Sequence, residues 1–188
     1  MEVRPPERPI TVEEFCRMGR AGAFGPEARV ELIEGEIIDM PPTGPRHDGT
    51  VMQLTMLLYH AIGNRALIKG QGVIFLSDIS APQPDVALLK PRPDFYKTSH
   101  PTASDTCLIV EVSDSRLRYD LQRKVPLYAR HNAPEVWVVD VKGGELHVFR
   151  SPEAGAYADK RSIREPGVIE LAALPGVRVD LTGLLSTA

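Results

Sequence analysis

Hydrophobic and polar positions along this chain follow two periods. In "RVELIEGEIIDM" they alternate with period two around Glu34-Gly35, the pattern of a β-hairpin. Just before it, "TVEEF" places Thr11 three residues ahead of Glu14, a capping box that predicts a short helix. Over residues 48–62, Val51, Leu54, Leu58 and Ile62 stand near helical spacing, which predicts the longest helix, ended by Gly63-Asn64. Apolar runs predict strands at 66–77, 84–90 and 107–113, and a helix over 118–131 follows. Two more strands, 135–141 and 145–150, read as a hairpin through Gly143-Gly144, and weaker signals lie at 156–164, 168–171 and 177–181. This order predicts an α/β (α+β) fold with a mixed sheet. Between two of the strands, residues 91–106 are polar and broken by proline, a long loop of the kind that is often functional or mobile.

Composition narrows the class. The 188 residues show no repeat and no linker, so the chain reads as one domain over 1–188, with 1–9 as a flexible N-terminal segment. Apolar residues make up 43% and charged residues 25%, an ordinary balance for a soluble globular protein. No stretch approaches about 18 uninterrupted apolar residues, so no membrane association is expected. Cys16 and Cys107 lie far apart without a CxxC pair, which argues against a disulfide framework or structural zinc and suits a reducing cytoplasm.

The net charge of −3 argues against holding nucleic acid by bulk electrostatics. Charge is uneven, however. From Ser115 to His131, five basic residues (Arg116, Arg118, Arg123, Lys124, Arg130) face one acid, Asp120, either as a solvated helix face or as a surface that meets phosphate. The histidines have no metal spacing, and His47 and the others read as surface or satisfied residues. Gly70 and Gly72 lead into a strand rather than a helix and form no phosphate cradle. Tyr128 reads as core.

Three charged residues stand where apolar ones belong. Period two puts Cys107, Ile109, Glu111 and Ser113 on one face of their strand and Leu108, Val110 and Val112 on the other, both largely apolar. An ionised Glu111 there must be paired, hydrogen-bonded or bound to metal, or else reach solvent at the strand end. Asp85, after Pro84 and before "VALL", is either a turn residue or a second carboxylate at a strand end. With Glu111 it would make the oxygen-rich site that Mg²⁺ prefers. Lys124 shares a helical stripe with Leu121, Val125 and Tyr128, so its ammonium either snorkels outward or serves as a cation, or as a proton acceptor, beside a phosphoryl group.

Pro84-Asp85, Glu111 in "LIVEVSDS" and Lys124 in "YDLQRKVPLYARHNAPEVWVVD" together resemble the PD-(D/E)XK nuclease superfamily. More narrowly they resemble its bacterial Uma-type restriction-endonuclease family, to which "VELIEGEIIDM" and "PRHDGTVMQLTMLLYHAI" are also similar. The resemblance implies a restriction-endonuclease-like mixed sheet flanked by helices. It also implies Mg²⁺ (or Mn²⁺) on Asp85 and Glu111, Lys124 assisting at the transition state, Glu31 as an upstream acid near the metal, and DNA as substrate. Ser113 occupies the position of the usual lysine two residues beyond the strand carboxylate, and in the family the next helix supplies that lysine instead. Pro126 departs from a regular helix at a cost of about 3 kcal/mol if unrelieved, so a kink just beyond Lys124 is expected to bear on its aim.

Three function classes remain open on the sequence: a metal-dependent endonuclease, a non-catalytic binding module for nucleic acid or protein that retains the fold, and a metal-dependent hydrolase of another substrate. Cutting both strands of a duplex suits paired sites, so a homodimer is expected.

Overall fold

The structure, a computed structural model, describes residues 8–25 and 27–186. Most of the segment expected to be flexible, residues 1–7, lies outside the described residues, while Arg8 pairs with Glu14. Helix α1 (Val12–Arg20) starts on the predicted capping box: the Glu14 amide donates to the Thr11 hydroxyl at 3.2 Å and the Thr11 amide donates to the Glu14 carboxylate at 3.0 Å. Strands β1 (Val30–Ile33) and β2 (Glu36–Asp39) form the hairpin, with Glu34 and Gly35 both at positive φ. A Cβ at Gly35 would also collide with Pro9, so only glycine fits there.

Helix α2 (Pro45–Ile62) begins three residues before the apolar periodicity does, because Pro45 occupies its first turn, where no amide is needed. Then come β3 (Leu67–Gly70), β4 (Val86–Leu89), a 3₁₀ turn (Ala103–Asp105) and β5 (Thr106–Ser113). The next helical stretch has three parts: α3 (Leu117–Tyr119), a π-helical turn (Asp120–Lys124) and α4 (Val125–Arg130). Strands β6 (Glu135–Asp140), β7 (Glu145–Glu153), β8 (Ala156–Ile163), β9 (Val168–Glu170) and β10 (Arg178–Asp180) complete the chain.

Six strands form one sheet in the order β3-β4-β5-β6-β7-β8. Only β5 and β6 are parallel, and the helical stretch is the crossover such a pair requires. Leu54, Leu58, Leu108, Val110, Trp137 and Val179 pack α2 and the C-terminal segment against one face. Ile109, Val125, Tyr128, Val136 and Val138 pack α4 against the other. Burial of each large side chain stabilises by roughly 1.5–3 kcal/mol. A smaller third core around Phe15, Leu32 and Ala81 fixes the hairpin beside the sheet. The fold class is therefore the one expected, a mixed sheet between helices. Among the described residues no helix is long and apolar enough to cross a membrane.

Three details differ from the sequence expectation. The strand predicted over 66–77 ends at Gly70, because Gln71 turns to φ 37° and donates its amide to Asp85 O. Cys107 joins the core of Leu108 rather than that of Ile109, since a bulge opposite Leu88/Leu89 breaks the alternation. Residues 91–106 are internally bonded, with the Arg92 guanidinium held by Asp94, Thr98 and Ser99 and lying over the Tyr96 ring.

Candidate active site

Strand β5 carries Glu111 close to its C-terminal end, 4% exposed and turned toward the α4 side of the sheet. Continuing the β4–β5 register one step past Val86↔Val110 sets Asp85 opposite it. Asp85 Oδ2 accepts the Val112 amide at 2.8 Å, which pins the carboxylate to the next strand. Lys124 is 3% exposed, with its Nζ 2.8 Å from Glu111 Oε1 and 3.2 Å from Glu31 Oε2. Glu31 comes from β1, is 1% exposed, and also accepts the Gln83 amide at 3.2 Å. Four residues beyond Lys124, the Tyr128 hydroxyl donates to Glu111 Oε1. The structure thus brings together all four residues singled out in the sequence, and Lys124 does not snorkel.

The π turn explains why Pro126 does not misdirect the lysine. Val125 donates its amide to Asp120 O, five residues back, and Pro126 follows in the first turn of α4. The wider turn relieves the clash a proline ring makes with the carbonyl four residues earlier. The expected kink is replaced by a one-turn bulge that aims both Asp120 and Lys124 inward, at 8% and 3% exposure.

Glu31, Asp85, Glu111, Asp120 and Lys124 line a pocket of about 90 Å³ with Arg29, His47, Ser113, Arg116 and Tyr119. Five carboxylates, those of Glu31, Asp85, Glu111, Asp114 and Asp120, share the pocket with the basic groups of Arg29, His47, Arg116 and Lys124. Burial pushes Glu111 up to about 8, against the pull of Lys124 and with reinforcement from Asp120, Asp85 and Glu31. Asp120 is raised for the same reason, first by burial. Burial alone would lower Lys124, but Glu111, Glu31 and Asp120 outweigh it and hold the ammonium above its ordinary value. His47 is raised by its contact with Asp85, against burial.

Among the described residues no three His, Cys, Asp or Glu side chains stand ready as a metal-binding group. Two carboxylates at adjoining strand positions nevertheless suit Mg²⁺, which keeps several waters and takes one or two protein carboxylates plus substrate oxygens. Among the described residues both protein contacts to the Glu111 carboxyl fall on Oε1 alone.

His47, read from the sequence as a surface or satisfied residue, is satisfied and 6% exposed, with Nε2 3.2 Å from Asp85 Oδ1 and Nδ1 3.1 Å from Asp48 Oδ1. Sequence reasoning counted Asp120 only as the one acid in a basic run, although the spacing Asp120-x-x-x-Lys124 is a same-face signal. That run is not a free basic surface: Arg123 pairs with Glu34 and Glu36, Arg130 pairs with Glu34, and Lys124 is buried. The hairpin is therefore docked onto the crossover helices by charge.

A family model described as "Uma2: Putative restriction endonuclease" matches residues 12–182. The chain belongs to the Uma2 family. The resemblance read from Asp85, Glu111 and Lys124 is thereby confirmed at the level of the Uma2 family. Among solved structures, one described as "a putative nuclease belonging to DUF820 from Anabaena variabilis ATCC 29413" matches with a TM-score of 0.72 at 16% identity, over 94% of this chain and 98% of that one. At that identity the likeness establishes the Uma2 chain's fold alone. No curated protein matches the chain.

Proposed function

We propose that this protein is a Mg²⁺- or Mn²⁺-dependent endonuclease of the PD-(D/E)XK type that hydrolyses DNA phosphodiester bonds, working in the cytoplasm as a homodimer with two paired sites. One observation supports this reading above the others. A lysine is buried between Glu111 and Glu31 at the end of β5, beside Asp85, in a pocket with more acid than base. Family membership and the description of the solved relative point the same way.

In this reading Asp85 and Glu111 hold the metal, which when bound would activate water and neutralise phosphate charge. Val112 N–H fixes one Asp85 oxygen, leaving the carboxylate little freedom to rotate. Tyr128 does the same for Glu111. Because its neighbours hold Lys124 protonated, the lysine acts as a fixed cation against charge that develops on the phosphoryl oxygens, not as a base. Glu31 aims that cation by binding its other side. Water attacks phosphorus and gives up a proton to solvent, the bond to the leaving sugar oxygen breaks and that oxygen takes up a proton from solvent, and one product carries the phosphate.

The test is cleavage of plasmid DNA with Mg²⁺ or Mn²⁺ by the wild type and by Asp85→Ala. Metal-dependent cutting by the wild type alone is expected. Equal cutting by both proteins would remove Asp85 from the chemistry. No cutting by the wild type with either metal would return the protein to a non-catalytic binding role.

A further inference from the structure

Two hydroxyls at the pocket are unaccounted for by the metal and lysine chemistry. Ser113 Oγ and Tyr119 Oη are both buried and make no hydrogen bond among the described residues. Both residues line the pocket that holds Asp85, Glu111 and Lys124. Ser113 is 2% exposed and ends β5 two residues beyond Glu111, so alternation puts it on the same face, roughly 6.6 Å further along the strand. Its hydroxyl favours the ionised form of Asp120, yet no hydrogen bond of normal length and angle joins the two.

Tyr119 is held from the other side. The Arg116 guanidinium stacks 4.2 Å from its ring centroid and is itself anchored by donating to Asp39 O at 2.9 Å. The ring therefore presents its hydroxyl to the pocket from a braced position, with a positive charge behind it.

A buried hydroxyl without a partner is a standing cost to the fold and asks for an explanation. The ligand that supplies partners must bring acceptor oxygens into a pocket lined by both carboxylates and basic groups. A phosphate group carried on a divalent cation suits both sets of groups, with the metal on the carboxylates and the phosphate oxygens toward the hydroxyls and Arg116. We propose that Ser113 and Tyr119 are phosphate-binding residues, whose hydroxyls donate to the non-bridging oxygens of a metal-borne phosphodiester while Arg116 adds charge behind them. This rests on the nuclease reading above and extends it to how the substrate is gripped. It also gives Ser113 a role at the strand position where a lysine would otherwise face the phosphate.

The test is calorimetric titration of inorganic phosphate into Mg²⁺-loaded wild type, Ser113→Ala and Tyr119→Phe, with thermal unfolding of each metal-free protein. Both substitutions delete only a hydroxyl oxygen that makes no hydrogen bond of normal geometry in the free protein. Each is expected to weaken phosphate binding about tenfold, the scale of one hydrogen bond to a charged group, while Mg²⁺ affinity and Tm stay at wild-type values or Tm rises. Wild-type phosphate affinity in both variants, or no phosphate binding by the wild type, would overturn the inference. So would a Tm loss of more than about 4 °C, because it would show that the hydroxyls serve the fold. If the variants bind phosphate normally while DNA is cut in an Asp85-dependent way, this inference falls and the nuclease stands. If phosphate binding needs both hydroxyls but no DNA is ever cut, the nuclease reading falls and the anion site remains.

Discussion

Glu111 and Lys124 occupy apolar positions because each satisfies the other's polar atoms, at 2.8 Å, and the pair was legible only in outline. The stripe of Leu121, Lys124, Val125 and Tyr128 correctly turned the lysine inward. Its second carboxylate, Glu31, comes from a hairpin whose docking depends on tertiary contacts that no local period encodes. The partner of His47 was unreadable for the same reason, since Asp85 lies on another element. Substituting Lys124 tests both stability and chemistry. Lys124→Ala leaves the buried Glu31 and Glu111 side chains without their shared partner, and a loss of about 3–5 kcal/mol in denaturant unfolding is expected. In the folded fraction, cleavage should fall by about 10²-fold or more, while Lys124→Arg keeps the charge and restores part of both. Wild-type cleavage by a stably folded Lys124→Ala would remove the lysine from the chemistry.

Glu111 also sets a pH dependence. Its folded pKa of about 8 lies above the ordinary 4.5, so folding takes up a proton between those values. The stability it contributes is fully present below about 4.5 and lost as pH rises through about 8. In metal-free protein, Glu111→Gln should therefore flatten the decline of Tm over that window. An unchanged decline would assign it to other groups.

At the scale of elements, the crossover from β5 to β6 was predicted as one helix over 118–131, and its extent is nearly right. What the sequence withheld is the π turn, because an inserted residue in a helix leaves the apolar stripe intact on either side. Pro126 was the visible trace of it, read as a kink. The bulge is what lets Asp120 and Lys124 both face the pocket. Deleting Gln122, whose side chain only accepts from the Arg118 guanidinium outside, should restore a regular helix and rotate one of the two away by roughly 100°. Circular dichroism should keep its wild-type form while metal-dependent cleavage is lost. Retained cleavage would show that the bulge is incidental. Strand β3 shows the opposite failure: an apolar run to residue 77 was overruled by the Gly-Gln-Gly turn at 70–72, which carries the chain off the sheet.

At the scale of the molecule, two buried glutamates on neighbouring strands separate structure from function. Glu135, fully buried on β6, accepts from Trp137 Nε1, from the Arg150 guanidinium and from the Ala172 amide, and so ties the sheet to the C-terminal segment. Arg150→Ala should cost about 3–5 kcal/mol in unfolding and leave metal affinity unchanged. A stability within error of wild type would show that the tie is dispensable. Glu111, by contrast, converges with Glu31, Asp85 and Asp120 from four elements on one small pocket, where acid outnumbers base. That convergence is the basis for reading the protein as a metal enzyme. Calorimetric titration of Mn²⁺ into wild type and Glu111→Gln tests it most directly, because the amide keeps the shape of the carboxylate, removes its charge and needs no knowledge of the DNA sequence cut. One Mn²⁺ bound by the wild type, with most of that affinity lost in the variant and more of it gained as pH rises toward 8, is the predicted result. Equal binding by both proteins, or none by either, would contradict the account.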